Sequence, residues 1–437
     1  MNTSTALSST QRLLVLAAGF LGWMFAGVQL GATSIVMRDA AKDLLGATDE
    51  GEIGHWFGWL VSVFMLGAAC GGYLFGWIGD HKGRRNGMAY AIACYSLAAG
   101  ITSLVTSPNQ LLVARFLVGL GVGGMWPNGI ALVAEAWPNM SRPLLAGVIG
   151  TAANIGILLF SILTAFVDVT PDDWRWTMHW TTAPIILAAM VFAFVPESPR
   201  WLAAKAAPRA VNPDFGEVFR PPLLRVTLIG IALGTVPLFG GWGNANWANA
   251  WAAQVGDAIP ASDRETNGDA SEKPTPTAEA NPKLKAYAMI WRSLPGSVAS
   301  LLGGAIATIV GRRRFYFCLS VICLICAQCL FRFSYPGESS FLIWMGVLGG
   351  FSGFFFGWLP LYLPELFPTR VRSTGAGVSF NFGRIGTAVG ILIAAELLKQ
   401  VFAGDYAAIG RLTSWIYAFG AIIILVAPNT AGKELED

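Results

Sequence analysis

Charged residues are scarce in this chain of 437: Asp, Glu, Lys and Arg together make up 13%. A soluble domain carries about a quarter, so a water-soluble globular fold of this length is excluded. Histidine is rarer still, with three in the chain, and no glycine-rich turn ends in Lys-Ser or Lys-Thr. Acid–base chemistry and nucleotide hydrolysis both lack the residues they need, so no enzyme is expected and no cofactor is implied. The six cysteines (Cys70, Cys94, Cys318, Cys323, Cys326 and Cys329) all fall in apolar stretches. There they read as packing residues, not as a disulfide or metal set. The first ten residues are polar and uncharged, and no small-residue cleavage site closes a short apolar core. The first apolar segment is therefore read as retained.

Apolar length is abundant instead. The chain is 54% hydrophobic, with a mean hydropathy of +0.55. Twelve runs can each cross a hydrocarbon core of about 30 Å: 13–37, 56–79, 87–106, 110–134, 144–167, 176–195, 226–251, 286–310, 315–331, 341–363, 375–398 and 409–427. The runs are continuous and rich in Gly, Leu and Ala, without the alternation a barrel strand needs. The expected fold is an all-α membrane protein of twelve transmembrane helices. With twelve crossings both termini share one side. That side carries sixteen Lys and Arg, the opposite side ten, and three (Arg115, Arg292 and Arg384) lie within spans. The bias places the termini in the cytoplasm. It also explains the net charge of +3 without invoking nucleic acid.

The chain repeats itself about 230 residues apart. Gly76-Trp-Ile-Gly-Asp80-His-Lys-Gly83-Arg84-Arg85 recurs as Gly304-Ala-Ile-Ala-Thr308-Ile-Val-Gly311-Arg312-Arg313. Glu135-Ala-Trp-Pro138-Asn-Met-Ser-Arg142 recurs as Glu365-Leu-Phe-Pro368-Thr-Arg-Val-Arg372. Each copy follows an apolar run and marks its polar exit. Two pseudo-symmetric six-helix bundles follow, 1–202 and 222–437, joined by a cytoplasmic linker at 203–221. Residues 253–284 lack apolar periodicity and read as a disordered external loop. Two like halves with matching turns suit alternating access, with a solute held between them.

These motifs resemble the major facilitator superfamily along nearly the whole chain. Gly76 to Arg85 resembles its loop between helices 2 and 3, and Arg115-Phe-Leu-Val-Gly119-Leu-Gly121-Val-Gly123-Gly124 its helix 4 signature. Pro196-Glu-Ser-Pro-Arg200-Trp-Leu resembles the end of helix 6 in sugar porters and organic-acid symporters, and Pro428-Asn-Thr-Ala-Gly432-Lys-Glu their tail. The resemblance implies a cytoplasmic gating network of Gly76, Asp80, Arg84, Arg85, Glu135, Arg142, Glu197, Arg200, Glu365 and Arg372. Glu135 would pair with Arg142 and Glu365 with Arg372. Thr308 stands where the second copy should have its acid, so that half of the gate should be weaker. Proton-coupled relatives carry an acid in helix 1 near a helix 4 arginine. Here Ala26 and Gln29 occupy that stretch, and no carboxylate is evident deep in a span; Glu396 and His179 lie nearest.

Solute contacts are sought among polar groups that hydrocarbon does not tolerate idly. Arg384, in Asn381-Phe-Gly-Arg384, resembles the arginine of aromatic-acid symporters, and Arg115 lacks the acid that usually partners it. Either could meet a substrate carboxylate. Trp242, Asn244 and Asn246 in helix 7 would suit sugar rings and hydroxyls, whereas Trp251 reads as interfacial belt. Asn128 and Asn154 serve either as lining or as helix–helix hydrogen bonds. The expected function is an alternating-access transporter of a small polar organic solute in the plasma (inner) membrane, acting as a monomer. An organic anion is ranked above a neutral sugar. The alternatives are a sugar facilitator and a non-transporting solute sensor.

Overall fold

A computed structural model describes residues 7–137, 142–206, 215–257, 281–368 and 371–430. The repeat and the apolar runs become two bundles of six spans. The first bundle comprises span 1 (Ser9–Leu45), span 2 (Glu50–Lys82), span 3 (Arg84–Thr102), span 4 (Pro108–Ala136) and span 5 (Arg142–Phe166). Its span 6 is built from Arg175–Thr182 and Ile185–Phe194. In the second bundle, span 7 runs Leu223–Gly256, span 8 Leu284–Val310, span 9 Arg312–Phe333 and span 10 Ser339–Glu365. Span 11 is Arg372–Gln400, and span 12 joins Tyr406–Thr413 to Ile416–Val426. Eleven of these are long and apolar enough to cross a bilayer. Span 3, with 19 residues, is the less apolar twelfth.

The duplication extends to detail. Spans 6 and 12 are interrupted at matching places. Both repeated turns pivot on a glycine in the region L side chains avoid, Gly83 at φ 107° and Gly311 at φ 97°. Each of these glycines is the N-cap of the next span. Span 2 packs on span 4, and span 8 on span 10, through small residues that let backbones touch. A Cβ on Gly71 would sit 1.8 Å from the Leu120 carbonyl, and one on Gly123 1.9 Å from that of Ala68. In hydrocarbon, such close approach replaces the hydrophobic effect as the packing force.

Span 1 differs most from its expected extent of 13–37. It begins at a Ser8–Gln11 capping box and continues to Leu45, ending at Gly46 with φ 59°. The added turns carry Arg38, Asp39 and Lys42, which paired charges elsewhere in the fold stabilise. Span 7 holds a π-helical turn, Leu238–Gly243, after Pro237. Such turns re-aim side chains and are frequent at functional sites. The proposed linker includes the end of a short helix, Pro199–Ala206, and a 3-10 turn, Phe215–Phe219. Residues 207–214 of that linker and 258–280 of the expected external loop lie outside the described residues.

Candidate functional site

A central cavity lies where the two bundles face each other. The space between its lining atoms, counting the part open to solvent, is about 820 Å³. The first bundle supplies Trp23, Phe64, Trp126 and Asn154; the second supplies Trp242, Phe356, Phe380, Arg292 and Arg384. Trp126 packs on Trp23 at 4.7 Å between centroids and reaches across to Phe380 at 6.4 Å. The π-turn of span 7 aims Trp242 at Phe64, with centroids 6.0 Å apart. The walls are therefore aromatic, and the polar groups few.

Those polar groups are mostly cationic. Arg384 donates from Nη1 to the Ala68 carbonyl of the opposite bundle and to Asn381 Oδ1, both at 3.1 Å, and its guanidinium lies 4.7 Å from the Phe380 ring centre. Arg292 donates to the Gly241 carbonyl in the π-turn at 2.8 Å. Neither has an acidic partner among the described residues. Sequence reasoning had counted Arg292 inside a span without giving it a role. Its position one helix away from the Trp242 turn is a tertiary fact that spacing does not carry.

The other expected contacts divide. Asn154 lines the cavity and donates to Ser300 Oγ across the bundles at 2.9 Å, and Asn381 lines the adjoining vestibule. Arg115 is fully buried over Phe64, donates to Thr33, and leaves Nε and Nη1 without an acceptor. Gln29 turns to span 6, donating to the Thr181 carbonyl at 2.9 Å. Asn128 sits between helices and donates to the Phe75 and Gly124 carbonyls at 2.8 and 3.0 Å. Asn244 accepts from Thr413 at 2.6 Å, and Asn246 from Ser34 at 2.5 Å. Trp251 is buried against Phe331, Tyr335 and Phe341.

The cavity is open at one end. Toward the side that carries the termini it continues into a vestibule between spans 4, 10 and 11; Trp126, Leu359, Pro360, Phe380 and Arg384 line both spaces. At the far end the bundles are joined by charge. Lys285 of span 8 pairs with Asp39 of span 1, the side chains being 2% and 0% exposed, and also donates to the Val169 carbonyl at 2.8 Å. Arg38 meets Asp257 at 2.8 Å as well as Glu50, and Lys42 reaches Asp257 at 3.0 Å. Burial pushes the Asp257 carboxyl up, but Arg38 and Lys42 outweigh it and hold the group below the usual carboxylate range. His55 and Glu396 add a cross-bundle contact at 3.4 Å. Asp39 is a buried carboxylate near the end of span 1, a position the sequence reading had placed outside the span. It lies in the turns of span 1 beyond residue 37, and its partner is 246 positions away.

The motif residues on the termini side pair within each bundle. Arg84 meets Asp80 and lies 3.9 Å from Glu135, which also accepts from Ser198. Glu197 Oε1 accepts from the backbone N–H groups of Arg85 and Ser198 at 3.1 and 2.8 Å. Arg200 lies in the short helix that follows. In the second bundle Glu365 is gripped by Arg312 through Nη2 at 3.0 Å and Nε at 3.3 Å, and accepts from Thr430 at 2.6 Å. Arg372 donates to the Phe367 carbonyl at 3.4 Å. Thr308 bonds back to Gly304 in its own helix. The Arg142 side chain lies outside the described residues. Gly76 faces open space.

Residues 15–210 match the family model described as sugar (and other) transporter. A sialic acid transporter of Escherichia coli (strain K12) is 25% identical, with 94% of this chain and 92% of that protein covered. A niacin transporter of Acinetobacter baylyi is 23% identical over 95% and 94%. The fold matches the crystal structure of a D-xylose–proton symporter with a TM-score of 0.70 at 18% identity, over 97% and 99% of the two chains.

Proposed function

We propose that this chain, an alternating-access membrane transporter of the major facilitator superfamily, carries a small organic anion held by Arg384 and Arg292 between aromatic walls. The observation that carries the reading is the pair of cavity guanidiniums whose described partners are carbonyls and one amide. A carboxylate supplies both the missing charge and the acceptors such groups favour. The aromatic lining suits a planar or ring-bearing body. Niacin and sialic acid, which name two of the relatives, share a carboxylate.

A neutral sugar fits less well. A polyol needs many hydrogen-bonding groups around it, and Asn244, Asn246 and Gln29, each tied by one bond to Thr413, Ser34 and the Thr181 carbonyl, do not line the cavity. The basic bias supports cytoplasmic termini and an inner-membrane setting. The vestibule then faces the cytoplasm and the charge cluster seals the outside. In the same frame, 1–202 and 222–437 rock as units about the 203–221 linker, each monomer being complete. The motif pairs Arg84–Asp80 and Arg312–Glu365 stiffen the cytoplasmic helix ends of each unit.

The test is Arg384→Gln in the full chain. Loss of a charge-assisted bond costs about 1.5–3 kcal/mol, so affinity for a transported carboxylate should fall roughly ten- to a hundredfold while a neutral solute changes little. Equal losses for both overturn the reading.

A further inference from the structure

The central cavity presents two guanidiniums and no acid. Among its lining residues there is no Asp, Glu or His. Each guanidinium offers five N–H donors. Arg292 gives one of its nitrogens to the Gly241 carbonyl, and Arg384 one of its own to Ala68 and Asn381. The remaining donors depend on what fills the cavity. With the vestibule open, solvent from the termini side can serve them.

To change access the protein must pass through a state closed at both ends. The far end is already shut by the Asp39–Lys285 and Arg38–Asp257 pairs. When the vestibule also closes, solvent leaves, and an empty cavity strands two positive charges without counter-ions. Unpaired buried charge is among the costliest arrangements in a protein interior. A bound anion removes that cost by providing acceptors and charge together. Arg115 carries a similar burden, but it lies outside the cavity lining, so it weighs equally on the loaded and empty forms.

We propose that the transporter is an obligatory anion exchanger: the loaded form reorients and the empty form does not. The proposal rests on the anionic solute argued above. One organic anion enters as another of equal charge leaves, so no net charge moves and no proton is required. That agrees with Gln29, which cannot titrate, standing in the stretch where proton-coupled symporters are expected to hold an acid.

The experiment uses the full chain in proteoliposomes. All six native cysteines are replaced, and Ser34→Cys is introduced in the seam where Ser34 meets Asn246 and Asn249. An impermeant maleimide applied from the far side reads how often that seam opens. Without added anion, labelling should be slow. Combining Arg292→Gln with Arg384→Gln should speed it about a hundredfold or more, the scale of an unpaired buried charge. Arg292→Lys with Arg384→Lys keeps the charge and should stay slow, separating charge from general loosening. Equal rates in the parent and the glutamine pair overturn the proposal. In parallel, labelled nicotinate, benzoate and inositol are offered to vesicles loaded with the same unlabelled solute or with none. Carboxylate uptake should be roughly a hundredfold faster into loaded vesicles; equal uptake overturns exchange alone. Movement of inositol without movement of either carboxylate overturns the anionic reading beneath it.

Discussion

Asp39→Asn is the sharpest perturbation of the far-side seal. The carboxylate and its partner are 0% and 2% exposed. After the substitution, Lys285 keeps the Val169 carbonyl but loses its ion-pair partner. Breaking such a pair from one side costs about 3–5 kcal/mol, because an ammonium remains buried and uncompensated. The pair joins span 1 to span 8, so the cost falls on the closed arrangement and not on either bundle alone. The closed-to-open ratio should therefore drop by roughly 10²-fold or more. Lys42→Ala is the internal control. Lys42 and Asp257 are 29% and 17% exposed, and a pair so near water is worth about 0–1 kcal/mol, at most roughly a fivefold change. Far-side maleimide labelling of Ser34→Cys reads both. The reasoning is refuted if Asp39→Asn opens the seam no more than Lys42→Ala does. It is also refuted if the variant lowers the melting temperature while labelling stays unchanged, since the pair would then hold the fold together and not the gate.

The lowered carboxyl of Asp257 fixes a pH window. Its contribution to closure is fully present above the ordinary carboxylate range and is lost only as pH falls through the depressed value; labelling that rose between pH 8 and 5 because of this group, as judged with Asp257→Asn, would contradict the assignment. The two motif glycines should separate. Gly83→Ala forces φ 107° on an L residue and places a Cβ 2.0 Å from Glu197 Oε2, whereas Gly76 has nothing within 4 Å; thermal unfolding should show a loss of about 1–3 kcal/mol for the first and little for the second, and equal effects would refute the turn geometry. Asp80 is 59% exposed beside Arg84, so Asp80→Asn should change stability by under about 0.5 kcal/mol and act, if the motif gates, on flux alone. Unchanged flux would remove Asp80 from the gate.

The repeat was legible because it is local: a glycine with positive φ, two arginines and an acid at a helix exit recur in one order in both halves. Apolar length gave the spans for the same reason. The charged end of span 1 was not legible. Arg38, Asp39 and Lys42 look like a loop until Asp257 and Lys285, more than 200 positions away, are brought beside them. Arg292 was hidden similarly, since only the π-turn of span 7 reveals what it faces. Arg312, from the other repeated turn, grips Glu365 across 53 positions, a contact that the spacing within either motif does not carry. Amides were the least informative residues. Asn128 and Asn154 were equivalent in sequence, yet one locks helices 2 and 4 together while the other lines the cavity. An amide's value depends on which neighbour uses it, and that neighbour is set by packing.

The central claim is that two cavity arginines select a negatively charged solute. Calorimetric titration of the purified full chain with small aromatic acids, each paired with its uncharged amide, tests it directly; nicotinate and nicotinamide form one such pair. The ring and volume stay nearly constant within a pair while the charge changes. The account predicts that acids bind and that each binds at least about tenfold tighter than its amide, the lower end of a charge-assisted contact. An amide that binds as tightly as its acid would contradict it.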